Sequence, residues 1–165
     1  MVVLLPPHQV RPYVTRNKTD RTDTKGLLEA FRNEDLHAVP VKTVDQQVLV
    51  ALHRWRAAWM AERTAVLNTI RGLLREFGVT IAVGARHVVP RVSALTTATG
   101  TPLPAALHQV FAAAGEDVRA LEARIAAIDR QLAALAAADP VVQRLCSLPG
   151  IGLLTATALV AFVGC

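Results

Sequence analysis

Apolar residues recur at steps of three, four or seven positions along residues 44–77. A run of this length with one apolar stripe predicts a single long amphipathic helix. Gly78 directly follows the last stripe residue, and glycine often ends helices, so we expect the helix to stop there. The stripe comprises Val48, Leu52, Trp55, Trp59, Val66, Ile70, Leu73 and Phe77.

A second long helix is predicted after a loop over residues 78–104, which has room for one short helix. Its apolar positions alternate steps of three and four, which is a heptad seam. Two long helices joined by a loop are expected to pack as an antiparallel coiled coil. The seam faces either the first long helix or a second subunit, and periodicity leaves both open. The seam residues are Val118, Leu121, Ile125, Ile128, Leu132 and Leu135.

The N-terminal stretch VVLLPPHQVRPYV combines branched residues with prolines. Because Pro6, Pro7 and Pro12 disfavour a helix interior, it predicts one or two short strands. A short helix is expected from about Thr22 to Arg32. A further extended piece follows at HAVPV.

Two short helices separated by glycines are predicted at the C-terminal end. Asp139 and Pro140 provide a helix cap and a first-turn proline. In the LPGIG stretch that follows, Gly150 and Gly152 allow a tight turn whose backbone amides can bind a phosphate. This pattern predicts a helix-hairpin-helix that contacts DNA, whereas the alternative is that the glycines only end a helix. The predicted fold class is mainly α, with a short N-terminal β/α part, antiparallel coiled-coil helices and this hairpin.

Composition favours long helices, since 52% of the 165 residues are apolar and only 4% are aromatic. The apolar run Ile151–Val163 is shorter than the roughly 20 residues that span a membrane. The start, MVVLLPP, lacks the basic region of a signal peptide, so we expect a cytoplasmic protein without membrane contact. Cys146 and Cys165 form no CxxC motif and predict neither zinc nor a disulfide.

The charge balance is basic, with 18 Lys and Arg against 13 Asp and Glu. This net charge of +5 suits a polyanionic partner. Four arginines of the first long helix fall on an arc beside its apolar stripe. They form either a row of guanidinium groups for phosphates or a solvated helix face. The four are Arg56, Arg63, Arg71 and Arg75.

The stretch KTDRTDTKG places Asp20 and Asp23 three residues apart. If it opens a helix, both carboxylates lie on one face and can point at one magnesium ion or one ordered water. The alternative is structural, with Asp20 as the helix cap and Asp23 in the first turn. Spacing alone leaves both interpretations open.

Three stretches together resemble the DEDD-type transposases of the insertion-sequence one-ten family. They are KTDRTDTKGLLEAF, VPVKTVDQQVLVALHRWRAAWMAERTAVLNTIRGLLREFGV and LCSLPGIGLLTATALVAFVG, in this order, and the likeness covers nearly the whole chain. The resemblance implies a RuvC-like nuclease domain, then a coiled-coil domain, then a transposase domain that carries a nucleophilic serine. It also implies DNA transposition and recombination guided by a structured RNA.

Carried onto this chain, the resemblance makes Asp20 and Asp23 the last two acids of the DEDD set, with catalytic and Mg²⁺-binding roles. The chain departs from the family pattern, since residues 1–17 contain no acid and neither Ser93 nor Ser147 matches the nucleophile. We therefore expect a transposase fragment, shortened at both ends and inactive alone. The alternative is a non-enzymatic helix-hairpin-helix protein that binds nucleic acid.

The resemblance also implies domain bounds and partners. Residues 1–43 correspond to the end of the RuvC-like domain, residues 44–138 to the coiled coil and residues 139–165 to the start of the transposase domain. The expected partners are DNA, a guide RNA and further copies of the chain. The expected nucleic-acid contacts are Lys18, Arg56, Arg63, Arg71, Arg75, Gly150 and Gly152.

Overall fold

The computed structural model describes residues 3–14 and 19–163. Over these residues the fold is mainly α, as predicted. The chain divides into two units, one within residues 3–47 and the other within residues 48–163. The helices are α1 (Pro7–Val10), α2 (Asp20–Arg32), α3 (Val44–Glu76), α4 (Val88–Thr97), α5 (Ala105–Ala138), α6 (Pro140–Cys146) and α7 (Leu153–Phe162).

The prediction of strands in VVLLPPHQVRPYV is wrong. Within residues 3–14 the chain forms α1 and a short 3-10 helix, Arg11–Tyr13. Each has a proline at its start, where the fixed φ suits a helix and the missing amide hydrogen has no helical partner to lose. Strand-like pairing in the described residues is confined to one antiparallel bridge between Leu4 and Val39.

Helix α2 begins at Asp20, two residues before the predicted start, because Thr19 caps it. The Thr19 hydroxyl accepts a hydrogen bond from the Thr22 amide at 3.3 Å, and the Thr19 amide donates to the Thr22 hydroxyl at 2.9 Å. This reciprocal pair is a capping box, which satisfies two amides that the helix itself cannot. Asp20 is therefore not the cap.

Helix α2 packs closely on the segment before it. A Cβ atom at Gly26 would lie only 2.8 Å from Val14 Cγ2 and 3.2 Å from the Tyr13 carbonyl oxygen. At the other end of the helix, Asn33 Nδ2 donates to the Tyr13 hydroxyl at 2.6 Å. The helix that carries both aspartates is thus held against its own N-terminal neighbour.

In the second unit, α3 and α5 run in antiparallel directions. Arg56 Nε lies 2.7 Å from Asp129 Oδ1, and Arg63 Nη2 lies 2.9 Å from Glu122 Oε1. A step of seven residues forward on α3 therefore matches a step of seven backward on α5. The seam of α5 faces α3 of the same chain, which decides between the two partners that periodicity left open.

The buried face of α5 matches the predicted seam except at its last position. Leu135 remains 41% exposed, and Ala136 is buried in its place. Position 136 lies four residues after Leu132 and so continues the same helix face. The buried seam residues are Val118, Leu121, Ile125, Ile128 and Leu132.

The buried face of α3 overlaps the predicted stripe in part. Ile70 of the stripe is buried, and four further stripe residues pack against the apolar clusters, namely Leu52, Trp59, Val66 and Phe77. Val48, Trp55 and Leu73 of that stripe are exposed. Arg56 and Arg63 occupy the face toward α5, because each finds an acidic partner across the helix pair. The buried residues of α3 are Leu49, Val50, Leu67, Ile70 and Leu74.

Gly78 ends α3 as predicted, with a φ of 72°. The Val79 amide then donates to the Leu74 carbonyl at 2.9 Å, and the Gly78 amide donates to the Arg75 carbonyl at 3.0 Å. The following loop contains the predicted short helix, α4. One apolar cluster joins α3, α4 and α5 and includes Leu67, Ile70, Leu74, Val88, Val92, Leu95, Phe111 and Val118.

The C-terminal helices α6 and α7 pack on the other end of the long helix pair. The predicted cap is confirmed, since Asp139 Oδ1 accepts hydrogen bonds from the Val141 and Val142 amides at 2.8 and 3.3 Å. None of the described helices combines the length and the apolarity needed to cross a membrane. The apolar cluster here includes Leu49, Val50, Ile128, Leu132, Val142, Ala156 and Val160.

Candidate nucleic-acid interface and carboxylate pair

Asp20 and Asp23 both lie in the first turn of α2. Asp20 is exposed and Asp23 is half-buried. Because residues three apart share a helix face, the two carboxylates can approach one ligand. Thr19, and not Asp20, caps α2. The two carboxylates therefore remain as negative charges at the positive end of the helix dipole.

The donor atoms of this pair are of the type that magnesium prefers. Mg²⁺ takes a nearly octahedral shell of oxygen ligands and usually keeps several waters. Asp20 and Asp23 would supply two ligands of that shell. Among the residues that the structure describes, no group of three or more His, Cys, Asp or Glu side chains comes together to complete it. The pair thus fits a magnesium ion in chemistry and could supply two of its ligands.

The arginines do not form one continuous exposed row. Arg56 and Arg63 are engaged by Asp129 and Glu122 in the α3–α5 interface. An arginine whose guanidinium is already paired with a carboxylate attracts a phosphate less strongly, because the carboxylate offsets its positive charge. These two residues therefore stabilise the helix pair in this structure.

Arg71 and Arg75 differ from the first two arginines. Arg71 Nη2 donates to the Ala82 and Gly84 carbonyls at 3.0 and 2.7 Å, which ties α3 to the following loop. Arg75 is exposed, and its guanidinium has no hydrogen-bonding or acidic partner among the described residues. Lys18 lies outside the described residues. Of the four predicted arginines, the two without an acidic partner thus lie toward the C-terminal end of α3.

The turn between α6 and α7 presents its two glycines to solvent. Gly150 has a φ of 87°, a conformation that favours glycine, and Gly152 precedes the first residue of α7. The Ile151 amide donates to the Leu148 carbonyl at 3.1 Å, which closes the turn. The first amides of a helix have no helical partners, so the start of α7 can donate hydrogen bonds to an anion.

Sequence reasoning missed His53, which joins α3 to α7. Its Nε2 lies 3.0 Å from the hydroxyl of the buried Thr157, and that hydroxyl also lies 2.8 Å from the Leu153 carbonyl. Nothing in the linear pattern indicates this contact, because it connects residues 104 positions apart.

The partners Glu122 and Asp129 were also missed, although the sequence carries a signal for them. They stand seven residues apart on α5, as Arg56 and Arg63 do on α3. Opposite charges at matching heptad spacing are typical of antiparallel helices that pair.

The lowered pKa of His53 predicts a fold that loses stability in acid. Burial, and then the nearby charge of Arg56, lower the pKa of His53 in the folded chain. The unfolded chain therefore binds a proton more readily, and the free energy of unfolding falls as the pH drops below about 6.5 and through the lower folded-state pKa. Urea denaturation at about pH 7.5 and about pH 5.5 should show a larger loss for the parent than for His53→Gln. Equal losses would contradict this prediction.

Comparison with known proteins gives consistent matches. A family model described as a transposase, that of DEDD-type IS110 transposases, matches residues 1–79. A probable family 20 transposase of Pseudomonas aeruginosa is 36% identical over 99% of this chain and 48% of its own length. The transposase for insertion sequence element IS1111A of Coxiella burnetii is 35% identical over 98% of this chain and 44% of its own length.

A further relative, the transposase for insertion sequence element IS1328 of Yersinia enterocolitica, is 35% identical over 99% of this chain and 48% of its own length. No solved structure matches the chain. The chain spans slightly less than half the length of these curated relatives. The relatives' matches run along almost the entire chain, and with the family model they show that it is similar to DEDD-type IS110 transposases.

Proposed function

We propose that this chain binds nucleic acid as part of the transposase of an insertion sequence and contributes to DNA transposition and recombination. The observation that carries the proposal is the exposed turn at residues 148–152, in which Gly150 adopts a positive φ and Gly152 precedes the free amides of α7. A backbone without side chains can approach a phosphate closely. The relatives are named transposases, so a non-enzymatic nucleic-acid-binding protein is not favoured.

Asp20 and Asp23 are our proposed catalytic and metal-binding residues. A bound Mg²⁺ would neutralise charge on a phosphodiester and make a water more acidic. The chain itself holds the two carboxylates on one face of α2, anchored through Thr19 and Gly26. Residues 1–43 would then belong to a RuvC-like domain, residues 44–138 to a coiled coil and residues 139–165 to a transposase domain.

A structured guide RNA is the second proposed nucleic-acid partner. RNA and DNA present the same phosphate chemistry, and the chain is basic with a net charge of +5. A labelled DNA duplex should therefore be displaced by structured RNA when both compete for the same amides and guanidinium groups. RNA that binds without displacing DNA would assign the two partners to different surfaces.

We predict that Gly152→Ala weakens binding to duplex DNA by about tenfold, because a methyl group would keep a phosphate away from the amides of α7. The fold should persist, since a Cβ atom at Gly152 meets no atom within 4 Å and the φ of −88° suits alanine. Fluorescence anisotropy at low salt measures the affinity.

Gly72→Ala is the matched control for this substitution. Gly72 lies inside α3, and a Cβ atom there also meets nothing within 4 Å. The change should raise the free energy of unfolding by up to about 1 kcal/mol and leave the affinity unchanged. Equal affinities for the two variants would refute the DNA contact of the turn.

Self-association is a further part of the proposal, on a surface different from the predicted seam. Since α3 covers that seam, the apolar surface that remains includes the exposed residues Val48, Trp55 and Leu73. We expect light scattering to detect dimers that Leu73→Glu converts to monomers. A parent chain that stays monomeric across a wide range of concentration would exclude self-association through this surface.

A further inference from the structure

A small cavity lies where α3 ends and the next loop begins. Its volume is about 60 Å³. Its position is fixed by the end of α3, because the Val79 amide donates to the Leu74 carbonyl and Gly78 holds a φ that favours glycine. The cavity is lined by Arg71, Arg75, Val79, Thr80 and Ile81.

The charge in this cavity is positive and uncompensated. Two of the lining side chains are guanidinium groups, and none is a carboxylate. Arg56 and Arg63, in contrast, are neutralised across the helix pair. Arg71 and Arg75 also lie in the last turns of α3, where the negative end of the helix dipole stabilises their positive charge while no ligand is bound.

One donor in the cavity, Arg71, is held in place before any ligand arrives. One terminal nitrogen of Arg71 is fixed by two loop carbonyls, which leaves its remaining N–H groups free to bind a ligand. Thr80 lines the cavity from the loop that follows Gly78, and its hydroxyl makes no hydrogen bond within residues 3–14 and 19–163. A planar guanidinium fork pairs with two oxygens of a phosphate at once.

The size of the cavity suits one phosphate group. A single water needs about 10–15 Å³ of such volume, so a cavity of about 60 Å³ has room for the few non-hydrogen atoms of a phosphate. We propose that Arg71, Arg75 and Thr80 form a binding site for one phosphate of a nucleic-acid backbone. This inference rests on the proposed function, since it names where that backbone is held.

Arg75→Ala and Thr80→Val test the site, because neither removes the bonds by which Arg71 ties the loop. Each should weaken binding to a DNA duplex about three- to tenfold at low salt. Arg75→Ala should also reduce the slope of log affinity against log salt by about 0.9, the value for one lost phosphate contact. Fluorescence anisotropy over a range of salt measures both quantities.

Arg54→Ala is the matched control, since Arg54 is an exposed arginine of α3 outside the cavity and its loss changes the net charge equally. We expect less than about a twofold effect on affinity. If the parent binds DNA and Arg75→Ala binds it as well as Arg54→Ala does, the site is refuted while the proposed function stands.

Inorganic phosphate tests the site without nucleic acid. Its addition should shift the amide NMR signals of Thr80 and Ile81 in the parent chain, and Arg75→Ala should abolish these shifts. Shifts in a chain that fails to bind DNA would support an anion site and contradict the proposed function. A parent chain whose Thr80 and Ile81 signals do not respond to phosphate would overturn the inference whatever the DNA result.

Discussion

Replacing Leu132 with alanine is expected to lower the free energy of unfolding by about 2–5 kcal/mol. Leu132 is fully buried and belongs to the cluster that joins α3, α5, α6 and α7. Truncation removes apolar contacts within this cluster and leaves a cavity where the helices cannot fully close. Urea denaturation followed by circular dichroism measures the change.

Leu135→Ala provides the matched control, because the same side chain is shortened three residues away on the same helix. Leu135 is 41% exposed, so we expect a loss below about 1 kcal/mol. The periodic seam treats the two leucines as equivalent, whereas the structure separates them. Losses of similar size at both positions would contradict the register of the α3–α5 pair.

Replacing Asp20 or Asp23 with asparagine is expected to reduce transposition by about 10²- to 10⁴-fold. The reason is that a metal ligand is lost, and the metal ion would stabilise the charge of the transition state by several kcal/mol. The assay uses the Coxiella burnetii transposase for IS1111A, with its matching segment exchanged for this chain, because the chain aligns with 44% of that protein. Movement of a marked IS1111A element is counted.

Asparagine keeps the size of the side chain and removes its charge. Thr19 and not Asp20 caps α2, so the fold should survive either change. Asp45→Asn is the control, since Asp45 also lies in the first turn of a helix, α3. Transposition that persists in Asp20→Asn and Asp23→Asn at the level of Asp45→Asn would remove both aspartates from the catalytic site.

The helical elements could be predicted from sequence because their signals are local. Helical spacing over more than thirty residues, the glycine after Phe77 and the Asp139–Pro140 pair each act within a few positions of the element they define. The N-terminal prolines misled the same reasoning, since proline is compatible with both the start of a helix and an extended chain.

The pairing face of α3 could not be read from hydropathy. The helix carries an apolar stripe that stays partly exposed and a second face on which Arg56 and Arg63 alternate with buried leucines. A charged residue counts as solvent-facing in a periodicity argument unless its partner is known. The partners lie 59 and 73 residues away, on α5.

The sequence indicated which residue types form the candidate carboxylate pair, but only part of the local geometry around them. Spacing placed Asp20 and Asp23 on one helix face, which the structure bears out, but the cap at Thr19 depends on a reciprocal pair of hydroxyls that the pattern did not single out. Arg71 and Arg75, the two arginines near Gly78, line a cavity, and that cavity exists because the loop folds back toward α3.

The central proposal is that this chain, which is similar to transposases, binds nucleic acid through phosphate contacts, and a salt titration of DNA affinity tests it most directly. The affinity of the 165-residue chain for a DNA duplex should fall about 10- to 100-fold between about 50 and 200 mM salt, as expected for two to four phosphate contacts. Absence of binding at about 50 mM salt, or an affinity that does not change with salt, would contradict the claim.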